Sequence, residues 1–301
     1  MAALDGRAYL VGGCVRDALL GRPPGDIDLS TPFVPEETVR RLEAAGLKAV
    51  PTGIEHGTVT AVAAGVGYEV TSYRADVETD GRRAVVRFTT DIAEDAGRRD
   101  FTINALYADA EGRVIDPLGG LADLDARRVR FIGRPQDRIR EDYLRILRFF
   151  RFAAWLSPPP PEGPGIDAEG LAASAALAEG IERLARERVG HEMRKLLAAP
   201  DPAPAVAAMT EAGVLRRCLP GADPAALAPL VALEHAAGMA ADWRRRLASL
   251  GGEDPGEALR LSRAEARTME AYAAAAALLA GGATPGAAAW RHGADAAWSG
   301  L

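Results

Sequence analysis

The pattern of hydrophobic and polar residues changes character near Pro135. Before that residue, short runs of β-branched and aromatic residues alternate with short helical patterns, which is typical of a mixed α/β region. These strand-like runs cover residues 8–11, 27–29, 58–62, 68–73, 84–88 and 129–132. Because a connection bearing Gly65 and Gly67 separates the third run from the fourth, these two are predicted to form an antiparallel hairpin. The sheet is therefore expected to be mixed and largely antiparallel.

After Pro135 the strand signals stop, and Leu, Ala and Arg recur at helical spacing. The predicted helices cover residues 141–155, 171–185, 187–197 and 203–212. Residues 157–165 are rich in proline, which cannot continue a helix, so they are predicted to form a loop. The stretch from Gly281 onward carries little pattern and is expected to be poorly ordered. The predicted fold class is α+β, with an N-terminal α/β head followed by an all-α part.

Composition indicates a globular chain that is large enough for more than one structural unit. Its 301 residues are 48% hydrophobic and 26% charged. Cys14 and Cys218 lie far apart in the sequence, which fits a reducing compartment. The first twenty residues are charged where an export signal would be apolar, and the Ala-rich stretch 271–280 is shorter than the roughly 20 residues that cross a bilayer. We therefore expect a cytoplasmic protein with no membrane segment.

Charge is unevenly distributed along the chain. The formal net charge of −6 argues weakly against nucleic-acid binding, which depends on Lys and Arg contacts to phosphate. Residues 127–151, however, contain nine arginines against three acidic residues. Such a local excess is the footprint expected of a polyanion-binding segment.

A glycine pair follows the first predicted strand. Residues 9–17 read YLVGGCVRD, so Gly12 and Gly13 lie between a strand and a short helix. Glycine lets a phosphate approach the backbone, and a helix N-terminus presents free N–H groups. Arg16, one turn further on, can add a bidentate contact to a phosphate or sugar oxygen. A Gly-Gly pair alone is most often an ordinary turn, so this interpretation needs a second motif.

The second motif is Asp26-Ile27-Asp28. In a strand, residues i and i+2 point the same way, so both carboxylates are predicted to share one side while Ile27 and Leu29 face the core. Two adjacent carboxylates suit Mg²⁺, which keeps positions free for water and triphosphate oxygens. A lone Asp-x-Asp is common on surface turns, but its place directly after the glycine turn predicts a phosphate and metal site. Such a site would activate an attacking hydroxyl and stabilise a leaving pyrophosphate.

Four stretches in one order resemble the class II branch of tRNA nucleotidyltransferases and bacterial poly(A) polymerases, within the polymerase β superfamily. They are LVGGCVRDALLG with DID, RRDFTINALYAD at 98–109, IDPLGGLADL at 115–124 and EDYLRILRFFRF at 141–152. The resemblance implies a nucleotidyltransferase catalytic head at 1–135, a helical neck that recognises the nucleotide base at 136–200, and an RNA-binding helical body with a short or truncated tail at 201–301.

The resemblance also implies roles for single residues. Gly13 and Arg16 are the expected nucleotide contacts, Asp26 and Asp28 the expected catalytic metal ligands for Mg²⁺, and Arg99 the expected triphosphate or ribose contact. Glu69 is a candidate third acidic group, although a lone glutamate on a strand is more often solvated.

The segment 141–152 can also be analysed from its periodicity. Ile146, Phe149, Phe150 and Ala153 cluster on one helix face, which predicts a buried side, while Asp142 and Arg145 lie near its charged border. Cytosine and adenine each present an amino donor beside a ring-nitrogen acceptor, whereas uracil and guanine present a carbonyl beside a ring N–H. An aspartate acceptor next to an arginine donor therefore accepts C and A and mismatches U and G.

In the resembling family this pair selects nucleotides without a template. Arg148 and Arg151 are expected to support the pair and the triphosphate. A solvated, salt-bridged helix face remains the alternative if the segment is considered alone.

The resemblance favours a CCA-adding activity with CTP, ATP and the tRNA 3′ end as partners. Residues 74–95, with Asp76, the run 80–83 and the run 89–91, correspond to the flexible loop that complete CCA-adding enzymes use to switch from C to A. Relatives that add only CC have a shortened loop, so full CCA addition is predicted. The alternatives are a poly(A) polymerase, a partial CC- or A-adding enzyme, an RNA-binding relative with little turnover, and a small-molecule nucleotidyltransferase.

Overall fold

The structure is a computed structural model that describes residues 1–79, 84–159, 161–293 and 295–297. These residues divide into two units, Met1–Glu141 and Asp142–Leu301. The division falls a few residues after the domain boundary at 135 that the sequence suggested, and the further division into neck and body stays a prediction.

The N-terminal unit contains one large sheet in which most neighbouring strands are antiparallel. Within the described residues, seven strands form this sheet in the order β3-β4-β5-β2-β1-β8-β9, and β2 with β5 is its one parallel pair. Two further strands, β6 and β7, form a separate hairpin. The strands are β1 Tyr9–Val11, β2 Asp28–Thr31, β3 Lys48–Gly53, β4 Thr58–Ala63, β5 Val66–Ser72, β6 Arg74–Thr79, β7 Ala84–Phe88, β8 Tyr107–Ala108 and β9 Val114–Ile115.

Apolar residues alternate with polar ones along the strands, and the apolar side of the sheet packs against helices. On β4, Val59 and Ala61 are buried and pack with Leu42 and Val70. A second cluster of buried residues includes Val11. The helices of this unit are α1 Gly13–Leu19, α2 Pro35–Ala44, α3 Ile92–Gly97, α4 Gly120–Asp125 and α5 Pro135–Glu141.

Apart from one isolated bridge between Ala222 and Gly251, the regular secondary structure that the structure describes in the C-terminal unit is helical. Helix α6 buries Ile146, Phe149, Phe150 and Ala153, so the predicted core face of this segment is confirmed. The helices are α6 Leu144–Leu156, α7 Ala168–Ala176, α8 Arg186–Leu197, α9 Ala203–Glu211, α10 Leu215–Cys218, α11 Leu227–Ala236, α12 Trp243–Leu250, α13 Pro255–Ala258, α14 Arg263–Ala280 and α15 Pro285–His292. None of the helices in the described ranges is long and apolar enough to cross a membrane.

The predicted α+β class with a mixed, largely antiparallel sheet is confirmed, but three local predictions are wrong. The run 129–132 forms no strand and contributes only the isolated bridge of Phe131 to Phe101. The predicted helix 171–185 becomes α7 followed by a 3₁₀ turn, Ala178–Arg183. The stretch after Gly281 contains α15, because Thr284 caps the helix and Pro285 is tolerated in its first turn.

A buried ion pair links three helices of the C-terminal unit. Arg246 on α12 is fully buried, and its Nε donates to Oε2 of Glu234 on α11 at 2.8 Å. Its Nη1 donates to the carbonyl oxygen of Leu197, the last residue of α8, at 2.7 Å. Arg245 donates to the other carboxylate oxygen of Glu234 at 2.7 Å. Removing one member would leave charged and polar groups buried without partners.

We therefore expect Arg246→Leu to lower the free energy of unfolding of the C-terminal unit by about 3 kcal/mol or more. Urea unfolding followed by tryptophan fluorescence measures this unit, since all four tryptophans follow residue 142. Arg267→Leu, at an exposed position on α14, is the matched control and should change stability by less than about 0.5 kcal/mol. Equal stability of the two variants would contradict the importance of this pair.

Candidate active site

The glycine turn and the start of β2 lie at the same edge of the large sheet. Strands β1 and β2 are antiparallel with Leu10 opposite Leu29, so the end of β1 lies beside the beginning of β2. Gly12 follows β1 with a φ of 75°, a left-handed conformation that favours glycine. Cys14, in the first turn of α1, directs its sulfur toward the carbonyl oxygen of Asp28 at 3.8 Å. The glycine turn is therefore adjacent to Asp28.

Acidic side chains gather at this edge. In the parallel pair of β2 and β5, Asp28 lies opposite Glu69. Burial raises the pKa of Asp28, and the negative charges of Glu69 and Asp26 raise it further, whereas Arg99 acts in the opposite direction. Glu69 and Asp26 are thus both close enough to Asp28 to repel its charge. A cation bound here would relieve that repulsion, and carboxylate oxygens are ligands that a hard divalent ion prefers.

The local geometry differs from the sequence prediction in one respect. Strand β2 begins at Asp28, so Asp26 lies in the bend before it, and Ile27 is 39% exposed instead of facing the core. Among the described side chains, no group of three or more His, Cys, Asp or Glu is arranged to hold a metal ion. The structure therefore supplies no ready three-carboxylate ligand set that includes Glu69. Asp26 and Asp28 stay the candidate ligands.

Arg16 is held beside the glycine turn. Its Nε and Nη2 donate to the two carboxylate oxygens of Asp17, both at 2.9 Å, and its Nη1 donates to Oδ1 of Asn104 at 2.5 Å. Asn104 is itself oriented by donating to Asp100 at 3.0 Å. A Cβ atom on Gly13 would lie 3.7 Å from Nη2 of Arg16, so the guanidinium is next to the turn.

Arg99 flanks the same turn from another segment. A Cβ atom on Gly12 would lie 3.6 Å from Nη1 of Arg99. The Nη2 of Arg99 donates to Asp95 at 3.1 Å, and its Nε donates to the hydroxyl of Tyr107 at 3.3 Å. The structure thus brings together Gly13, Arg16, Arg99 and the acidic side chains, as the sequence predicted, and adds Asp95, Asn104 and Tyr107, which it did not. Asn104 and Tyr107 lie within the stretch 98–109 that carries the resemblance, and Asp95 ends segment 74–95, but no individual role is predicted for them from the sequence.

The predicted base-reading segment lies in the C-terminal unit. The helix predicted at 141–155 is interrupted, because α5 ends at Glu141 and α6 begins at Leu144. Asp142 accounts for the break: its Oδ1 accepts the backbone N–H of Leu144 at 3.0 Å, a local bond that competes with helix continuation. Its Oδ2 accepts from Nη2 of Arg188 on α8 at 2.7 Å. Arg188 has no motif that points to this role.

Arg145 and Arg148 are half-buried on α6. The guanidinium of Arg148 lies 5.4 Å from the centre of the Phe152 ring. Arg151 is more tightly held, since its Nε donates to buried Glu192 on α8 at 2.6 Å. Arg151 therefore has a structural partner besides its predicted role toward nucleotide.

Within the segment 74–95, predicted to be the C-to-A loop, β6 and β7 form an antiparallel pair, and Ile92 to Asp95 belong to α3. The two strands pair from Arg74 with Phe88 to Thr79 with Ala84. The predicted loop residues 80–83 lie outside the described residues.

Two family models match parts of this chain. Residues 8–130 match the family model of the poly A polymerase head domain. Residues 165–226 match the model of the probable RNA- and SrmB-binding site of polymerase A. The two models correspond to the glycine and acidic site and to part of the helical unit.

Curated relatives include the mitochondrial CCA tRNA nucleotidyltransferase 1 of Mus musculus, 42% identical over 189 residues, which are 62% of this chain and 43% of the relative. A CCA-adding enzyme of Streptococcus pyogenes is 45% identical over 195 residues, covering 64% of this chain and 46% of the relative. The matched region spans less than half the length of either relative.

The crystal structure of the Bacillus stearothermophilus CCA-adding enzyme in complex with CTP superposes with a TM-score of 0.77 at 31% identity. The match covers 99% of this chain and 74% of that one. The chain therefore belongs to the family of CCA-adding tRNA nucleotidyltransferases and poly(A) polymerases.

Proposed function

We propose that this chain adds C, C and A to the 3′ end of tRNA from CTP and ATP without a template. The observation that carries the proposal is the meeting of the Gly12 turn, Arg99 and the repelling carboxylates at one edge of the sheet. The curated relatives, which are CCA nucleotidyltransferases and CCA-adding enzymes, support the same activity. A reducing cytoplasm is the proposed location, since Cys14 and Cys218 are both free and buried.

In the proposed reaction the 3′ hydroxyl oxygen of the RNA attacks the α-phosphorus of the nucleotide, and the bond to the leaving pyrophosphate breaks. Asp26 and Asp28 would hold divalent metal, Mg²⁺ in the cell, which supplies charge neutralisation for the attacking and leaving oxygens. The backbone at Gly12 and Gly13 leaves room for phosphate. Arg16 and Arg99 present fixed donors to phosphate or ribose oxygens.

For base selection we propose the pair Asp142 and Arg145. An acceptor beside a donor matches the edges of cytosine and adenine and leaves unpaired groups against uracil and guanine. Asp142 accepts two hydrogen bonds, from the backbone N–H of Leu144 and from the side chain of Arg188, which restrict its rotamers. The protein therefore orients this acceptor itself, with no need of a template strand. Because each carboxylate oxygen has two lone pairs, both oxygens retain acceptor capacity.

The direct test incubates the purified chain with tRNA lacking CCA, with CTP, ATP and Mg²⁺, and sequences the extended 3′ ends. CCA ends support the proposal. Homopolymeric A tails would identify a poly(A) polymerase, which remains the second candidate because both family models that match carry that name. A mobility shift of the RNA without extension would identify a binding protein.

Asp28→Asn is expected to reduce incorporation of both C and A by at least about a thousandfold, because metal coordination supplies several kcal/mol of transition-state stabilisation. Glu43→Gln, at an exposed position on α2, removes the same charge away from the site and should leave the rate unchanged. Single-turnover extension assays measure both. If Asp28→Asn kept its turnover, Asp28 could not be a ligand of the catalytic metal.

Arg145→Ala is expected to lower the preference for C over U by roughly tenfold to a hundredfold, because the mismatch penalty of an unpaired buried group is lost. Competition assays with CTP and UTP measure the ratio of kcat/KM values. Arg267→Ala, at an exposed position on α14, serves as the control. An unchanged ratio in Arg145→Ala would argue for a solvated helix face.

Replacing residues 78–85 with a Gly-Ser link shortens the β6–β7 hairpin and tests the proposed completeness of CCA addition. If the hairpin is needed for the switch to ATP, the variant should add C twice at a normal rate and stop. Sequencing of the products after long incubation shows where extension ends. A variant that still adds the terminal A would exclude this role of the hairpin.

A further inference from the structure

The carboxylate of Asp95 is fully buried near the glycine turn and accepts five hydrogen bonds from four segments. Asp95 lies in the short helix α3 and is 0% exposed. Its Oδ2 accepts from Arg99, the Tyr107 hydroxyl and Ser30, and its Oδ1 from Arg98 and the backbone of Arg74; the distances range from 2.7 to 3.4 Å. Asp95 ends the segment 74–95 that resembles the C-to-A loop, but no individual role is predicted for it from the sequence.

Asp95 is ionised in this setting. Its burial acts to raise its pKa, but the charges of Arg99 and Arg98 and the hydrogen bond from Tyr107 outweigh that effect and hold the pKa below its usual value. Burial raises the pKa of the Tyr107 hydroxyl, which stays protonated and donates. A fixed negative charge is thus available to hold both arginines.

Arg99 is oriented by two of these groups. Its Nη2 is bound to Asp95 at 3.1 Å, and its Nε to Tyr107, whose hydroxyl donates to Asp95 at 2.7 Å. The nitrogen nearest to the glycine turn is Nη1, at 3.6 Å from a Cβ atom built on Gly12. A guanidinium whose other edge is held by a buried carboxylate can present Nη1 in one direction only.

We propose that Asp95 is a positioning residue that fixes Arg99, with the help of Tyr107, so that Nη1 of Arg99 meets a polyphosphate oxygen of the incoming nucleotide. The proposal rests on the proposed function, since it assumes that a nucleoside triphosphate binds at the glycine turn. Asp95 touches neither the nucleotide nor the metal. Its effect passes through Arg99.

The sign of the effect separates positioning from simple electrostatics. Neutralising a negative charge close to an anion site strengthens anion binding if charge alone matters. Asp95→Asn should instead weaken binding, because it removes the group that holds Arg99 in place. Since CTP and ATP share the polyphosphate, the KM values for both should rise in parallel, and the choice between C and U should stay unchanged.

The experiment compares Asp95→Asn with Glu43→Gln, which makes the same change of charge on an exposed residue of α2. Binding of inorganic tripolyphosphate by calorimetry and steady-state extension of tRNA are both measured. Asp95→Asn should weaken tripolyphosphate binding by roughly tenfold and lower kcat/KM for both nucleotides by about tenfold to a hundredfold. Glu43→Gln should match the wild type. Tighter or unchanged tripolyphosphate binding by Asp95→Asn overturns the proposal.

A double-mutant cycle with Arg99→Ala excludes a merely structural effect. If Asp95 acts through Arg99, Asp95→Asn adds little to the loss already caused by Arg99→Ala; additive losses overturn the proposal. If Asp95→Asn does not fold, Tyr107→Phe decides, because it removes the hydroxyl shared by Asp95 and Arg99 and should raise both KM values severalfold. Unchanged KM values in Tyr107→Phe would then overturn the proposal. Failure of the wild type to extend tRNA counts against the proposed function alone, since tripolyphosphate binding measures the positioning separately.

Discussion

The candidate site depends on the repulsion among carboxylates where β2 begins. Asp28 is next to β1 on one side, where the glycine turn starts, and opposite Glu69 on the other. Burial raises the pKa of Asp28, and the acidic side chains that surround it raise the pKa further. A fold tolerates such a concentration of charge at the surface when a bound cation compensates it. The sheet order and the glycine turn give that cation a place beside phosphate.

Arginine and carboxylate pairs recur as the means by which this chain fixes side chains. Asp95 holds Arg98 and Arg99, Glu192 holds Arg151, and Glu234 holds Arg245 and Arg246. Buried pairs of this kind contribute little net stability, because desolvation offsets most of their attraction. They do restrict rotamers strongly. In the N-terminal unit the restricted side chain is Arg99, beside the glycine turn. In the C-terminal unit the pairs of Glu234 connect helices.

The sequence predicted those features that depend on local order. The buried face of α6 follows from helical periodicity, and the proximity of the glycine turn to Asp28 follows from motifs that are close in the chain. It did not predict the role of Asp95, because three of its five donors, Ser30, Arg74 and Tyr107, come from segments that only the fold brings together. The break at Asp142 depends on one side-chain hydrogen bond that a periodicity analysis does not see. The strand predicted at 129–132 is absent, because the same alternation of apolar residues also occurs in a buried segment that forms only a single β-bridge.

We propose that Asp26 and Asp28 bind a divalent cation beside a nucleoside triphosphate held at the glycine turn. Anomalous diffraction from crystals grown with Mn²⁺ and CTP tests it most directly, since manganese can be located independently of the surrounding density. We expect an anomalous peak within coordination distance of both carboxylates and of a phosphate oxygen. A manganese position remote from Asp28, with CTP bound elsewhere, would contradict it.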